Sequence, residues 1–553
     1  MRIVTPQQMR TIEDNSEKYG VSKKVLMENA GHNLAFEIDM YCIRISRESD
    51  RKRTERNVVF LAGSGNNGGD CFVSARLLAE RSFRNITVIL FGNPKAELAK
   101  EMFARIPSVS VRITDINDKN LKSYIESADV LVDGVFGTGF HGVLDKSIAD
   151  IFSIGTKAYK IAVDVPSGAD CRNGGVADGT FRADMTLALG CLKTGMTQYP
   201  LREYCGKINV MDINIPEKAF CLSEDERIYS LVGYGTHPVI KHYGNDITFI
   251  NNNYVLNNDT NKNRPVFKGQ PDNFPPVRRA DSHKGDFGKV LIIAGSSSMR
   301  GAGALSVLGA LKSGAGLVRL MSAEKCIDTV SVLAPEATFA EIRCNNKGFM
   351  LFDSETLSAE MKRADVVVIG CGMGVTDNTR KMTEFVVENA EIPVIIDADG
   401  INCIASDIDI LLKKKTDIII TPHVGEMARL VKKSVSEING NRFETAESLA
   451  EKYNITVVLK GAGTVIADNK RTSVNCTGNP GMSRGGSGDV LSGIIGSLVG
   501  QGYNAFESAC AGVYIHGLAG DIAREKYGVF SMLPRDIISC LSDSFGKINK
   551  SIK

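Results

Sequence analysis

Short apolar runs alternate with helix-length segments along most of this chain, and this alternation limits its possible folds more than any other feature. The first series of runs covers residues 58–62, 86–91, 130–132, 161–163, 185–189 and 208–211. The second covers residues 290–294, 317–320, 366–369, 394–396, 418–420, 457–459 and 464–467. Strands separated by helices form βαβ units with a largely parallel sheet, so both series predict the α/β class.

Helix signals lie at both ends of the chain. Thr5-Pro6-Gln7-Gln8 has the spacing of a capping box, with proline at the first helical position. We predict a helix from there and a second over residues 22–37. Two further helices, punctuated by glycine, are predicted over residues 488–498 and 505–523.

The two series of strands are separated by a stretch of different composition. Residues 217–273 are rich in asparagine and weakly periodic, which is typical of an extension or linker. A chain of 553 residues is also too long for one hydrophobic core. We therefore predict a first domain over residues 1–225, an extension or linker over 226–273 and a second domain over 274–553. The two series do not look like copies, which favours fusion over internal repetition.

The composition argues against several functional classes. Lys and Arg number 66 against 64 Asp and Glu, and the net charge of +2 gives no sign of a nucleic-acid-binding surface. No run of about 18 apolar residues is present to cross a membrane. The 13 cysteines include no CxxC pair, which argues against a disulfide framework or a structural zinc site. We expect a cytoplasmic protein that binds neither nucleic acid nor membrane.

A glycine-rich loop at residues 63–70, Gly-Ser-Gly-Asn-Asn-Gly-Gly-Asp, joins the first predicted strand to a helix. It contains G-x-G-x-x-G, whose glycines let backbone N–H groups approach a phosphate at a helix N-terminus. The motif alone is weak, and a purely structural turn is the alternative. A standard NAD-binding fold also places an acid at the end of the next strand. That strand ends Phe-Gly-Asn at residues 91–93, which disfavours a simple dehydrogenase.

Oxygen-bearing side chains follow three strands of the first series. Asn67 and Asp70 follow one strand, Asp133 ends another, and Asp164 and Ser167 follow a third. Ligands bind outside the carboxyl ends of parallel strands, so these side chains are expected to share one cleft. Neutral oxygens beside a carboxylate suit K⁺ or Mg²⁺ better than zinc. The alternative is that the aspartates only cap the turns that follow them.

These motifs together, with Leu-Met-Glu-Asn-Ala-Gly at residues 26–31, closely resemble the NAD(P)H-hydrate epimerase family over residues 1–216. The resemblance implies a Rossmann-like three-layer α/β/α domain that binds the hydrated dinucleotide through Asn66, Asn67, Gly68, Gly69, Asp70, Gly137, Thr138, Gly139, Phe140, His141, Gly142, Val143 and Asp164. It also implies a potassium ion on Asn67, Asp133 and Ser167. Asp164 is the implied acid–base group, and Lys193 is a second candidate or a phosphate contact. Cys71 departs from the glycine that the family pattern predicts.

The second series carries phosphate-binding signals without a P-loop, since no G-x-x-x-x-G-K-[ST] occurs. Residues 479–491, Asn-Pro-Gly-Met-Ser-Arg-Gly-Gly-Ser-Gly-Asp-Val-Leu, place glycines before a helix, where free N–H groups can hold phosphate oxygens. Asp489 in the first turn is suited to take a proton from a hydroxyl that reacts with the held phosphoryl group. An aspartate in a first helical turn is also common for structural reasons alone.

Further polar strand ends belong to the same predicted edge. Lys460 begins a Lys-Gly-Ala-Gly-Thr turn that suits a nucleotide phosphate or ribose, and His423 follows a buried strand and a proline. His423 by itself would more often be a structural residue. Residues 370–374 and 397–400 add glycine-rich and acidic strand ends.

The Gly-x-Gly-Asp pattern resembles the ribokinase superfamily, and the finer pattern over residues 276–545 resembles NAD(P)H-hydrate dehydratase. The resemblance implies a ribokinase-like α/β/α domain in which ADP, with Mg²⁺, contacts Lys460, Gly461, Ala462, Gly463, Thr464 and Gly488. It implies that the hydrated substrate contacts Ala302, Gly372, His423 and Asp489. Asp489 would be the base that lets a ring hydroxyl accept a phosphoryl group, after which phosphate is eliminated.

Both resemblances imply repair of damaged dinucleotides. One domain would interconvert R and S NADHX or NADPHX, and the other would dehydrate the S form while ADP gives AMP and phosphate. The resemblance also implies a homo-oligomer. A ribokinase-type small-molecule kinase with an accessory dinucleotide-binding domain is the alternative, and a non-catalytic dinucleotide-binding protein is a third interpretation. No residue decides between ADP and ATP, or between NADHX and NADPHX.

Overall fold

The computed structural model describes residues 1–222, 227–232, 247–250 and 281–550. Residues 1–222, 227–228 and 247–250 form one compact unit, and residues 229–232 and 281–550 form the other. The two are called the N-terminal and the C-terminal unit below. No helix within these ranges is long and apolar enough to cross a membrane.

The N-terminal unit is an α/β fold around a parallel sheet. Its strands are β1 (Arg2–Val4), β2 (Asn57–Ala62), β3 (Asn85–Leu90), β4 (Val111–Asp115), β5 (Val130–Gly134), β6 (Tyr159–Val163), β7 (Ala169–Asp170), β8 (Gly175–Val176), β9 (Met185–Leu189), β10 (Leu192–Lys193), β11 (Lys207–Met211) and β13 (Ile247–Ile250). Its helices are α1 (Pro6–Lys18), α2 (Lys23–Ser46), α3 (Asn66–Glu80), α4 (Glu97–Ala104), α5 (Leu121–Glu126), α6 (Lys146–Phe152) and α7 (Leu201–Tyr204). The strand order in the sheet is β13-β11-β9-β6-β5-β2-β3-β4, with every neighbouring pair parallel.

Apolar side chains fill both faces of this sheet. Phe60 of β2 packs into one cluster with Val58 and Ala62, while the intervening Val59 and Leu61 belong to a second cluster on the opposite face. Successive side chains of a strand point to opposite faces, so a strand covered on both sides reads as a continuous apolar run. The central strands were predictable from the sequence for this reason.

Helix α1 begins as the sequence predicts. The backbone N–H of Thr5 donates to Oε1 of Gln8 (2.8 Å), and the N–H of Gln8 donates to the Thr5 hydroxyl (3.1 Å). This reciprocal pair is a capping box, and Pro6 takes the first helical position, where its missing N–H costs no hydrogen bond. Met9 and Ile12 are buried in an apolar cluster, which fixes the helix against its unit.

The C-terminal unit is a second α/β fold with a longer sheet. Its strands are β12 (Tyr229–Leu231), β14 (Lys289–Ile293), β15 (Leu317–Ser322), β16 (Thr338–Glu341), β17 (Val366–Ile369), β18 (Val394–Ile396), β19 (Ile418–Ile420), β20 (Thr456–Leu459), β21 (Thr464–Ala467) and β22 (Thr472–Asn475). Its helices are α8 (Arg300–Lys312), α9 (Glu324–Leu333), α10 (Ser354–Met361), α11 (Asp377–Asn389), α12 (Asp399–Ile404), α13 (Val424–Val431), α14 (Val435–Gly440), α15 (Arg442–Tyr453), α16 (Ser487–Gly500), α17 (Ala505–Tyr527) and α18 (Pro534–Lys550).

The strand order within the C-terminal unit is β12-β22-β21-β20-β19-β18-β17-β14-β15-β16. Strand β21 is antiparallel to both of its neighbours, and the remaining neighbours are parallel. Helices α8 and α16 approach closely because Gly493 has no side chain. A Cβ added there would lie 2.0 Å from the carbonyl oxygen of Ser306. This contact packs the middle of α16 against α8, and the glycine-rich segment leads into the start of α16.

The α/β class predicted from the sequence is confirmed for both units. The strands at residues 185–189, 366–369, 394–396, 418–420 and 464–467 have the predicted bounds. Strands β4, β16 and β22 and the short strands β1, β7, β8 and β10 were not predicted from the sequence. Strand β4 lies at the sheet edge, where Arg112 is exposed and the apolar run is broken. Within 226–273, β12 and β13 are strands, and most of the rest of the predicted extension lies outside the described residues.

Candidate active sites

A cavity of about 820 Å³ lies at the carboxyl ends of β2, β5 and β6 in the N-terminal unit. Helix α3 begins there at Asn66, directly after the glycine-rich loop, with Gly65 as its N-cap. The loop needs its glycines: a Cβ on Gly63 would lie 1.9 Å from the Val135 carbonyl oxygen, and one on Gly68 would lie 2.0 Å from the Gly63 carbonyl oxygen. The segments that follow β2, β5 and β6 all border this cavity, as the sequence predicts.

Asp164 and Lys193 form a buried ion pair in this cavity. The Lys193 ammonium donates to Oδ1 of Asp164 and to the Leu189 carbonyl oxygen, the latter at 2.9 Å. The N–H of Leu189 also donates to Oδ1 of Asp164 at 3.0 Å. The Lys193 side chain has no exposed surface. Asp164 adopts φ = 63°, a left-handed conformation that is costly for a residue with a Cβ and is often found at functional sites.

A second polar cluster joins β5 to the segment after β6. The Ser167 N–H donates to Oδ2 of Asp133 (2.8 Å), and the Ser167 hydroxyl donates to Oδ1 (2.6 Å). Nδ2 of Asn67 donates to the carbonyl oxygens of Phe136 (3.2 Å) and Val163 (2.9 Å). Burial raises the pKa of Asp133 to about 6, although the hydrogen bonds that it accepts from Ser167 and from the Val135 N–H lower it. In the described ranges no ion pair to Asp133 is formed, so its charge is met by neutral groups.

Three further carboxyl groups border the cavity, Asp70 on α3 and Glu13 and Asp14 on α1. Burial, and then the negative charge of Asp164, raise the pKa of Asp70 well above its usual value. The same two causes raise the pKa of Glu13 to about 7. Glu13 was missed by the sequence analysis, because nothing in the local pattern of an amphipathic helix marks one acidic residue as facing a cavity.

Most of the residues predicted to bind the hydrated dinucleotide border this cavity. They are Asn66, Asn67, Asp70, Gly137, Thr138, Gly139, Phe140, His141 and Asp164. Gly68, Gly69, Gly142 and Val143 do not. Gly69 packs α3 against α2, since a Cβ there would lie 2.7 Å from the Met27 sulfur. Val143 is largely exposed, and Cys71 is fully buried, so a small side chain is accommodated there.

The glycine-rich segment of the C-terminal unit leads into α16, where Gly486 (φ = 101°) is the N-cap. Lys460 lies beside it: a Cβ on Gly488 would be 3.3 Å from the Lys460 Nζ. The Lys460 Nζ donates to Oδ1 of Asp397 (2.7 Å), and the Ser492 hydroxyl donates to Oδ2 of the same carboxylate. The ends of β18 and β20 and the start of α16 therefore meet at one point.

Asp489 lies in the first turn of α16 within this group. Burial, and then the charge of Asp397, raise its pKa to about 7, while Lys460 lowers it. A carboxyl group with a pKa near neutrality can gain and release a proton in one catalytic cycle. The arrangement suits proton transfer next to a bound anion.

His423 has a structural role and keeps an exposed edge. It is the N-cap of α13, and its Nδ1 accepts from the N–H groups of Gly425 (3.0 Å) and Glu426 (3.2 Å). Its side chain is 56% exposed. Burial, and then Lys460 and Arg429, lower its pKa below the usual value. The structural role that the sequence left open is therefore present, and Nε2 lies 3.4 Å from Oε1 of Glu426.

Gly372 and Ala302 are neighbours, since a Cβ on Gly372 (φ = 63°) would lie 2.6 Å from the Ala302 Cβ.

Two buried polar residues near the C-terminal site, Arg442 and His516, were not predicted from the sequence. Buried Arg442 donates to the Leu459 carbonyl oxygen at 2.9 Å and so shapes the turn that Lys460 begins. Buried His516 lies against the backbone of Ser487. Both are single polar residues on long helices, without a motif that could mark them.

The fold and the two sites define a class of enzyme with two α/β units. One unit has a cavity that contains a paired carboxylate and lysine. The other has a helix that follows a glycine-rich segment and begins beside a lysine and an acid. Residues 23–195 match the family described as YjeF-related protein N-terminus, and residues 290–543 match the family described as NAD(P)H-hydrate dehydratase. The chain belongs to the family of bifunctional NAD(P)H-hydrate repair enzymes.

Two relatives illustrate this membership. The bifunctional NAD(P)H-hydrate repair enzyme of Thermofilum pendens is 33% identical over 541 residues, covering 96% of this chain and 93% of the relative. The enzyme of the same name from Escherichia coli is 32% identical over 494 residues, covering 88% and 84%. A solved structure of the ADP/ATP-dependent NAD(P)H-hydrate dehydratase of Bacillus subtilis, co-crystallised with ATP and Mg²⁺, is 28% identical. It covers 49% of this chain and 94% of its own, with a TM-score of 0.43.

The function predicted from the sequence is confirmed at the level of the family. The N-terminal unit is an epimerase of the Rossmann-like type and the C-terminal unit is a ribokinase-like dehydratase, both acting on hydrated NAD(P)H. The dehydratase family match over residues 290–543 argues against the small-molecule kinase, and membership of an enzyme family argues against a non-catalytic binding protein.

Proposed function

We propose that the chain repairs R and S NADHX and NADPHX in two steps, one in each unit. The N-terminal unit interconverts the hydrates, and the C-terminal unit dehydrates the S form while ADP is converted to AMP and phosphate. The observation that carries the proposal is the position of Asp489, in the first turn of a glycine-led helix and beside Lys460. The proposed domain extents are 1–225 and 274–553, joined by 226–273.

For the dehydratase, we propose that the start of α16 and the Lys460–Thr464 turn bind the phosphates of ADP. Asp489 takes the proton of the ring hydroxyl while that oxygen attacks the terminal phosphorus, and the phosphorus–oxygen bond to AMP breaks. The new phosphate ester is then lost: the ring nitrogen donates its lone pair, the carbon–oxygen bond breaks, and the neighbouring carbon releases a proton. The products are dihydronicotinamide and phosphate.

The substrate-binding residues proposed for this unit are Ala302, Gly372, His423 and Asp489, which come from the ends of several strands. The nucleotide contacts are Lys460, Gly461, Ala462, Gly463, Thr464 and Gly488. Mg²⁺ binds with the nucleotide and neutralises phosphate charge, which needs few protein ligands. Among the described residues no cluster of three or more metal-ligating acids, histidines or cysteines occurs.

For the epimerase, we propose that Asp164 is the acid–base group that acts at the hydrated carbon, with Lys193 holding its carboxylate in place. The dinucleotide would lie along the loops at 66–70 and 137–143. The buried contact between Lys193 and Asp164 supports the positioning role of the lysine over a direct phosphate contact.

A potassium ion fits the neighbouring group of Asn67, Asp133 and Ser167. Asp133 is a buried carboxylate that accepts from the hydroxyl and the N–H of Ser167, and the Asn67 amide donates to the carbonyl oxygens of Phe136 and Val163. One carboxylate together with neutral hydroxyl and amide groups is a donor set that suits a monovalent hard cation. The ion would stabilise the segments that follow β5 and β6. Replacing K⁺ by Li⁺ should lower the epimerase rate, and Asp133→Asn should remove the dependence on K⁺.

We also propose a cytoplasmic location and a homo-oligomeric state. What supports the location is that the cysteines described are free thiols, most of them buried. What supports the oligomeric state is the family resemblance alone, and light scattering of the purified protein tests it.

The deciding experiment follows absorbance at 340 nm while the protein acts on mixed R/S NADHX with ADP, ATP or no nucleotide. Full recovery of the reduced-nicotinamide absorbance, with ADP and not without nucleotide, is the expected result. Recovery that stops once the S form is consumed would exclude epimerase activity. Absence of recovery with either nucleotide would overturn the repair function.

A further inference from the structure

Glu13, on helix α1, is a half-buried carboxyl group that borders the N-terminal cavity. Helix α1 brings Glu13 to the cavity wall, with Asp14 and Arg10 beside it. Within the ranges that the structure describes, its carboxylate forms neither a hydrogen bond nor an ion pair. Asp14, by contrast, is paired with Lys23. A partly buried carboxyl group without a partner is costly unless a ligand meets it.

Among the other carboxyl groups of the cavity, Asp164 and Asp70 are suited to different tasks. Asp164 has Oδ1 fixed by Lys193 and by the Leu189 N–H, so it is a positioned group. Asp70 is almost fully buried, and burial, followed by the negative charge of Asp164, raises its pKa well above the usual value. Glu13 has a pKa of about 7, raised first by burial and then by Asp164, so both of its protonation states are populated.

The reaction proposed for this unit needs two proton transfers. Water adds to an enamine at the carbon bonded to nitrogen, so the hydroxyl of the hydrate lies next to the ring nitrogen. Inversion requires an acid that protonates this hydroxyl as the nitrogen lone pair expels it as water, which leaves a planar C=N⁺ group. Water then adds to the other face, a base takes its proton, and the C=N electrons return to nitrogen. The net result is inversion, without an oxidant or reductant.

We propose that Glu13 is a catalytic residue of the epimerase, exchanging a proton with the hydroxyl or the water at the inverted carbon while Asp164 serves the other proton transfer. This inference rests on the epimerase function proposed above. The two carboxyl groups line the same cavity, and one inversion leaves each with the protonation state that the other began with. The reverse inversion can therefore follow without a further change in the protonation of either group.

The test is Glu13→Gln in the full chain, supplied with pure R NADHX without nucleotide, and followed by chromatographic separation of the two hydrates. We expect kcat to fall by about 10²- to 10⁴-fold with little change in KM, because a general acid–base contributes that much. Glu13→Asp should restore part of the rate and shift the pH profile, which also reflects Asp14, Lys23, Asp70, Asp164 and Lys193. Glu17→Gln is the matched control, on the exposed end of the same helix.

Dehydration of S NADHX with ADP, together with the unfolding temperature, shows whether each variant is folded. If Glu13→Gln loses structure, Glu13→Asp decides by its kcat and pH profile. A kcat within about threefold of the unmodified protein, or a change confined to KM, overturns the role of Glu13. If the unmodified protein does not interconvert the hydrates, the proposed epimerase fails instead. Loss of activity in Asp164→Asn but not in Glu13→Gln overturns only this inference.

Discussion

The Nζ atom of Lys460 lies 2.7 Å from Oδ1 of Asp397, a carboxylate that is 1% exposed. Burial by itself would lower the pKa of Lys460, but the charges of Asp397 and Glu426 raise it, so the lysine is a fixed cation beside the start of α16. The Ser492 hydroxyl donates to the other oxygen of Asp397. One buried carboxylate therefore positions the lysine proposed to bind the nucleotide.

Asp397→Asn should destabilise the protein and weaken nucleotide binding. Removing one partner of a buried ion pair costs about 3–5 kcal/mol, since the remaining charge has no partner. We expect a lower unfolding temperature by calorimetry and a higher KM for ADP. Glu388→Gln breaks the exposed pair with Lys413 (2.8 Å) and should cost less than about 1 kcal/mol. Equal effects of the two variants would contradict a special role for the Asp397 pair.

Gly63 and Gly65 in the first loop should tolerate alanine very differently. A Cβ on Gly63 would lie 1.9 Å from a backbone oxygen, whereas one on Gly65 would meet nothing within 4 Å. Gly63→Ala should therefore cost about 1–3 kcal/mol or more and lower epimerase activity, as overpacking does in tightly packed sites. Gly65→Ala should be close to neutral. The comparison needs unfolding temperatures and R/S interconversion rates, and similar values for both variants would argue against the observed loop packing.

The dehydratase rate should depend on pH through Asp489. Its pKa is raised to about 7, so the carboxylate that acts as base is depleted below that pH. We expect kcat/KM for S NADHX, measured at saturating ADP, to rise through pH 7 and then level off. Asp489→Asn should lower the rate by about 10²- to 10⁴-fold and abolish this pH dependence. A rate that is flat from pH 6 to 8 would exclude Asp489 as the base.

The same group should make stability depend on pH. The unfolded chain releases this proton near pH 3.8 and the folded protein near pH 7, so between these values the folded state binds more protons. The contribution of Asp489 to stability is therefore present below pH 3.8 and is lost as pH rises through 7. Asp489→Asn should be more stable than the unmodified protein at pH 8, and this advantage should be smaller at pH 5 and absent only below about pH 3.8. Calorimetry at both pH values measures this difference.

Parts of each site could be predicted from the sequence where the motif that marks them lies within one short stretch of chain. The loop at 63–70 and the segment at 479–491 were recognised because glycines at fixed spacing serve a turn and a helix start within one stretch of chain. Strand β4 was missed because an edge strand has exposed side chains such as Arg112, so its apolar run is broken. Gly68 and Gly69 were expected to contact the ligand, but the structure places them outside the cavity lining, in the packing of α3.

The sequence by itself determined the α/β class, the succession of the two units, the glycine-led turns and the family. Those properties depend on periodicity and on short motifs, which neighbouring residues encode. Only the tertiary structure decided which single polar residues face a site. Glu13 comes near Asp164, and Asp397 near Lys460, through the packing of elements far apart in the chain. Burial and charge at those contacts then set their pKa values, and no local pattern carries that information.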